Sequence, residues 1–241
     1  MENYGIQMYS VRDLTKTDLE AAIGAVGKLG YKYLEFAGFF GNSAEDVCRY
    51  MKNAGVEICG THSDWEDLYP EKLDETIEFH KALGNKNFTI PGANLNKLYR
   101  IDEFVKVVNF AQDKLAAEGI TLAYHNHSVE FEPRYWGSNI LCELERRTGL
   151  FFEIDTYWAF NAGVDPVILC ERLADRIKMI HLKDGLFGGL GKALGEGIAP
   201  VKSVVDMARK HGWTMIVESE TLDPSGIEEV ERCINYLKTI N

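Results

Sequence analysis

Side chains able to hold a divalent ion or move a proton stand at the ends of four apolar runs. His125, His127 and Glu130 fall in TLAYHNHSVEF (121–131), and Asp155 closes FFEID (151–155). His181 lies in MIHLKD (179–184) with Lys183 two residues on, and Glu218 and Glu220 end MIVESE (215–220). A mix of carboxylates and imidazoles suits a hard divalent ion that takes oxygen substrates. Such an ion beside a general base suits proton removal next to a carbonyl, since it stabilises the enediolate as charge develops. Glu218 can act as ligand and base on one face, with His125, His127 or Glu130 acting on the other. Return of the proton to the opposite side epimerises, transfer to the adjacent oxygen isomerises, and loss of a β-substituent eliminates. The residues alone leave these outcomes open. Lys183 shares a face with His181 by the period of two, and is read as hydrogen bonding the substrate or stabilising an oxyanion.

Donors so far apart in sequence need a scaffold that gathers strand ends. Each donor group closes a Val/Ile/Leu/Phe/Met run of the kind expected for buried parallel strands. Strands are expected at 4–11, 31–39, 56–63, 85–92, 120–127, 151–156, 178–185 and 213–220. Between them lie segments with helical spacing. The first, 13–30, places Leu19, Ile23, Val26 and Leu29 on one face and ends at Gly30. The second is opened by Ser43 and closed at Gly55. Later helices are expected at 73–84, 101–119, 139–147, 164–176 with Pro166 in its first turn, 201–212 and 224–240. Eight such beats argue for an α/β fold of the (β/α)8 TIM barrel class in a single domain, 1–241, whose strand ends converge on one rim. The stretch GLFGGLGKALGEG (185–197) lacks the spacing of a phosphate-binding lysine loop and is expected to be a flexible rim loop.

Bulk properties agree. The chain has 241 residues, 46% of them hydrophobic, and a formal charge of -11, which disfavours nucleic acid as a partner and favours a small polar molecule. Five cysteines, an odd number without a CxxC pair, suggest neither a disulfide framework nor a cysteine zinc site, and point to a reducing, cytoplasmic compartment. The start, MENYGIQMYSVRD, has acid where a signal peptide needs basic residues, and no run reaches membrane-spanning length.

The segments YGIQMYSVRD, GYKYLEFAGFFG followed by SAED, GVEICGTHS, YHNHSVEF, EIDTYWAFNAGVDP, IHLKDG and IVESE occur in this order over nearly the whole chain. Together they resemble the xylose isomerase-like barrel superfamily, and within it the sugar phosphate isomerase/epimerase group. The resemblance implies an (α/β)8 barrel that binds one divalent ion, Mn2+ first, with Mg2+, Co2+ or Zn2+ as alternatives, and acts on a sugar or sugar-like polyol. Carried over by residue, it implies Asp155, His181 and Glu218 as metal ligands. Glu130 is the preferred fourth, with His127 or His125 as its substitute, because the glutamate that ends strand five in better understood epimerases falls on His125 here. Two departures stand out. Trp158 occupies the place of a histidine found in the epimerases of free ketoses and in the apurinic endonucleases, which puts a second metal and phosphodiester chemistry in doubt. The eighth strand reads VESE where related chains commonly read VEQD, so Ser219 and Glu220 alter the rim.

Other residues have plainer readings beside the functional ones. Glu35 and His62, at the ends of strands two and three, are expected to touch substrate or else to be partnered polar groups within the barrel. Trp158 and Trp65 are expected either to wall the sugar or to pack. His80 and His211 read as surface residues, and Glu196 as a contact from the rim loop. A homo-oligomer stays open, since no apolar stripe names an interface. Three activities compete: a metal-dependent isomerase or epimerase of a ketose or related polyol, a lyase or dehydratase of a keto-sugar, keto-glycoside or inosose, and a noncatalytic sugar-binding barrel. The full donor set disfavours the third.

Overall fold

The computed structural model describes residues 3–134 and 136–240; Glu2, part of the acid-bearing start, lies outside them. Parallel strands β1 (Gly5–Gln7), β2 (Tyr33–Phe36), β3 (Glu57–His62), β4 (Asn87–Ile90), β5 (Thr121–His125), β6 (Phe151–Asp155) and β7 (Ile177–Leu182) pair in sequence order. A last strand, β10 (Thr214–Val217), pairs with β7 on one side and β1 on the other, closing an eight-stranded barrel. Between β7 and β10 the chain adds a hairpin, β8 (Asp184–Leu186) with β9 (Leu190–Lys192). The fold is therefore the TIM barrel that strand–helix alternation predicts.

The surrounding helices are α1 (Arg12–Thr15), α2 (Leu19–Leu29), α3 (Ala44–Ala54), α4 (Leu73–Leu83), α5 (Leu98–Ala117), α6 (Ile140–Arg147), α7 (Thr156–Asn161), α8 (Pro166–Arg172), α9 (Val201–His211) and α10 (Gly226–Thr239). α2 buries Leu19, Ala22, Ile23 and Val26, the i, i+3, i+4, i+7 stripe of a helix lying on a sheet. Ser43 caps α3 by accepting from the Asp46 amide at 3.1 Å, a contact of the kind worth about 1 kcal/mol. None of the described helices is long and apolar enough to cross a membrane.

Several local expectations give way to side-chain chemistry. The first strand stops at Gln7 because its Oε1 accepts from the Tyr9 amide at 3.0 Å and turns residues 8–11 into a short 3-10 segment. The helix expected over 13–30 breaks into α1 and α2, since Asp18 leaves helical geometry to accept from the Ala21 amide at 2.8 Å. His80, expected on the surface, is buried beside Phe79 and Phe88 and bonds Asn85 at 2.9 Å. Burial pushes its imidazole down to about 4. His211 sits at the end of α9, 3.0 Å from Glu171.

The glycine-rich stretch is ordered rather than flexible. The buried Asp184 carboxylate accepts from the amides of Gly185, Gly195, Gly197 and Ala199 at 2.8, 2.9, 3.1 and 3.0 Å. A Cβ on Gly197 would collide with that carboxylate, so glycine there is a condition of the wrap. At the hairpin turn, Gly188 and Gly189 take positive φ and donate to Asn161 Oδ1. Removing an acceptor that satisfies several buried donors costs more than an ordinary hydrogen bond. Asp184→Ala is expected to lower stability by about 3 kcal/mol, read as a lower urea midpoint, and to expose residues 186–199 to limited proteolysis; an unchanged midpoint would refute the anchoring role.

Candidate metal and active site

The C-terminal strand ends bring His125, Asp155, His181 and Glu218 together, each offering a ligand atom, all within 4.8 Å of one another and all buried. Barrel register makes this possible. Asp155 pairs with His181 across β6 and β7, and Ile216 pairs with His181 from β10, so Glu218 emerges just past it.

Each donor is oriented by a bond made elsewhere. His125 Nδ1 faces the Pro91 carbonyl at 3.3 Å; a carbonyl only accepts, so Nδ1 carries the proton and Nε2 presents its lone pair to the cluster. Asp155 caps α7, its Oδ1 accepting from the Trp158 amide at 2.9 Å, which leaves Oδ2 free to point inward. His125 Nε2 and Asp155 Oδ2 lie 3.7 Å apart, and both are buried without a hydrogen-bond partner. Between them and the His181 Nδ1–Glu218 Oε2 contact of 3.2 Å, a cation would satisfy what the protein does not. The donor set therefore fits a divalent ion, with two imidazoles and two carboxylates.

Beneath these residues lies a second buried layer. His181 Nε2 is 2.7 Å from Glu35 Oε2 and 3.3 Å from Glu153 Oε2, and His62 Nε2 is 2.8 Å from Glu153 Oε2. Gln7 Nε2 also donates to Glu35 at 2.8 Å. Burial, and then the Glu35 charge, push Glu153 well above the usual carboxylate range. Glu35 stays ionised: against its burial, it is held down to about 2 by His181, which bonds it at 2.7 Å. Burial drops His62 to about 3 and keeps it neutral. Without an ion His181 is raised well above the ordinary value, despite burial, by the carboxylates of Glu153, Glu218 and Glu35; to ligate an ion it gives up the Nδ1 proton and keeps the Nε2 proton directed at Glu35. A carboxylate behind a ligating histidine fixes its ring and strengthens it as a donor.

The upper edge carries Lys183, buried, 3.3 Å from Glu218 Oε2 and ion-paired with Glu220. Burial alone would lower its ammonium; Glu218, Asp155 and Glu220 instead raise it. Lys183 and His181 hold Glu218 well below the usual range, again against burial. His127, lowered to about 4 chiefly by burial, is neutral. A cavity of about 820 Å3 opens onto His62, His125, His127, Glu218 and Glu220.

The residues expected to form the site are placed in several ways. His125, His127, Glu218 and Glu220 line the cavity, with Asp155, His181 and Lys183 buried directly behind them. Glu35 is fully buried and bonded to Gln7 and His181, so it supports a ligand instead of facing the cavity, whereas His62 does both. Trp158 lies under Lys183, with Nζ 4.7 Å from its ring centroid, and beside His127 at 5.7 Å. Glu130, the preferred fourth ligand by resemblance, is not brought to the cluster. Its carboxylate accepts from the Tyr124 hydroxyl at 2.9 Å and from the His127 amide at 2.7 Å, which commits both oxygens to shaping the loop, and His125 fills that corner. Ser219 turns from the rim to bond Glu229, Glu196 pairs with Arg232 at 2.7 Å, and Trp65 packs on Tyr69 and Phe104.

Sequence reading passed over Glu153 and Asn126. Glu153 stands two residues before Asp155 on one strand, and an acid inside FFEID was a usable signal. Asn126 clamps β5 to β6, its Nδ2 donating to the Asp155 carbonyl and its Oδ1 accepting from the Asp155 amide, both at 3.2 Å. Calorimetric titration of metal-free protein with Mn2+ is expected to give one site per chain. Asp155→Ala is expected to abolish it, Glu153→Gln to weaken it about 10- to 100-fold, and Glu130→Gln to keep one site; loss of the site in Glu130→Gln with the fold intact would restore Glu130 as a ligand.

Over 92% of its length the chain is 25% identical to the inosose dehydratase of Mesomycoplasma hyopneumoniae (strain 7448), and the match spans 88% of that protein. A sugar phosphate isomerase/epimerase from Parabacteroides distasonis superposes with a TM-score of 0.83 at 26% identity, covering 99% of this chain and 98% of that one. An L-ribulose 3-epimerase shares the fold at a TM-score of 0.71 and 14% identity, over 100% of this chain and 94% of its own. The family model described as xylose isomerase-like TIM barrel matches residues 23–240, and with its closed barrel and clustered donors the chain belongs to that family.

Proposed function

We propose that the protein is a metal-dependent isomerase or epimerase that moves a proton on carbon next to the carbonyl of a sugar or sugar-like polyol. The observation that carries this reading is the pair of buried donors without a hydrogen bond, His125 Nε2 and Asp155 Oδ2, set beside His181 and Glu218 under an open cavity. His125, Asp155, His181 and Glu218 would hold the ion, Mn2+ first among Mg2+, Co2+ and Zn2+; when bound it supplies a Lewis acid for a carbonyl and its neighbouring hydroxyl. The partner is a small sugar, and the odd cysteine count favours the cytoplasm.

The chain's own groups supply the proton handling. Glu218 is ionised and acts as a base on one side. Lys183 is shared between Glu218 and Glu220. A substrate oxygen that takes the Lys183 hydrogen bond relieves Glu218 of its cation and makes it a stronger base. His127, neutral at pH 7, can take or return a proton from the other side. Proton removal and return on opposite faces inverts a carbon.

A second reading, a dehydratase or lyase, begins with the same proton removal and is supported by the similarity to an inosose dehydratase along most of the chain. Incubation of ketoses, 3-keto-sugars and inososes with the Mn2+-loaded protein in deuterated water separates the two. Deuterium on carbon with no loss of mass is expected, and an unsaturated product would favour the lyase. Glu218→Gln is expected to lower the rate at least about 100-fold; no exchange with any of these substrates, or exchange untouched by Glu218→Gln, would sink the proposal.

A further inference from the structure

The cavity is larger than the reaction requires. Even allowing roughly the 30 Å3 of a liquid water molecule for each heavy atom, a single sugar of about a dozen heavy atoms fills less than half of its 820 Å3. The rest runs outward from His62, between the loops that follow β2 and β3, to the face of α4. One wall of this outer arm is aromatic: Phe39 and Phe79 meet edge to face with ring centroids 4.9 Å apart. A polar edge adjoins it. Lys72 pairs with Asp67 at 3.2 Å, and the Thr76 hydroxyl donates to the Asp67 carbonyl at 2.9 Å.

The charge of the arm narrows its occupant. Asp64, Asp67 and Glu75 line it against one basic residue, Lys72, whose charge Asp67 already engages. A phosphate or carboxylate would meet net repulsion there, with no arginine fork to receive it. A ring with an apolar face and a hydroxylated edge would find both an aromatic pair and carboxylate acceptors along the arm. We propose that the substrate is an uncharged glycoside, with the reacting sugar at the metal site and a second sugar residue in the arm lined by Phe39, Phe79, Asp67 and Lys72. This deepens the proposed function and rests on it for the placement of the reacting sugar.

Binding to the full-length, Mn2+-loaded protein tests the arm without relying on turnover. Calorimetry would compare glucose and glucose 6-phosphate with the disaccharides cellobiose, maltose and trehalose. At least one disaccharide is expected to bind about tenfold more tightly than glucose, and glucose 6-phosphate no more tightly than glucose. Phe79→Ala is expected to remove most of the disaccharide advantage while leaving Mn2+ affinity unchanged, a fold-change in the range of one aromatic contact. Because Phe79 also packs against Phe39, Lys72→Ala serves as the second variant: Lys72 is half exposed and its loss leaves the core intact, so a disaccharide-specific weakening of about threefold is expected. Disaccharides that bind no better than glucose, tighter binding of the phosphosugar, or an advantage indifferent to both substitutions would overturn the proposal. Deuterium exchange on single sugars without any disaccharide preference would leave the proton-transfer reading standing and remove the arm; disaccharide preference without exchange would do the reverse.

Discussion

Buried negative charge is the constraint around which the barrel interior is organised. Glu35, Glu153, Asp155 and Glu218 are all buried at one end of the sheet, where each uncompensated ion would cost several kcal/mol. The molecule answers each differently. Glu153 is pushed toward its neutral form, Glu35 faces His181 and the Gln7 amide, and Glu218 faces Lys183 and His181. Asp155 gives one oxygen to the first turn of α7. After these pairings the remaining inward atoms include Asp155 Oδ2 and His125 Nε2, and their nearest common remedy is a cation. Compensation and metal affinity thus share one origin.

Rigidity of the surrounding backbone makes such an arrangement tolerable. The strands hold their ends in fixed register, so Asp155 and His181 remain opposite each other whatever the loops do. Asn126 ties β5 to β6 at the level of the donors, and the Thr156 hydroxyl donates to the His181 carbonyl at 2.9 Å. Above the site, Asp184 gathers four backbone amides and keeps the glycine-rich segment in one path. A preorganised donor set loses little when a ligand arrives. The outer arm of the cavity draws on a different part of the barrel, the loops after β2 and β3 with α4, so reacting centre and distal recognition can vary independently.

Much of the fold was legible because the signals were local and repeated. Ser43 with Gly55, Asn139 before α6 and Pro166 at the start of α8 each mark a helix end through chemistry contained within a few residues. Failures arose where a side chain found a partner that local spacing does not specify. Asp18 broke a helix to cap the next, and Asp184 turned an apparently loose glycine run into an ordered wrap. His80 is polar on a helix and reads as exposed, yet Asn85 and two phenylalanines enclose it.

By itself the sequence determined the eightfold alternation, and with it the gathering of Asp155, His181, Glu218 and Lys183, because strand ends in a closed parallel barrel must converge. It could not choose among His125, His127 and Glu130, which crowd the end of one strand. Only the tertiary structure decided where each of these points: Tyr124 and the His127 amide take both oxygens of Glu130, and the Pro91 carbonyl turns the free nitrogen of His125 into the cluster. The same holds for Glu35 and Glu153, whose place beneath His181 depends on register between strands far apart in the chain. A residue's type states what bonds it can make, but which bond it makes is set by what the fold leaves beside it.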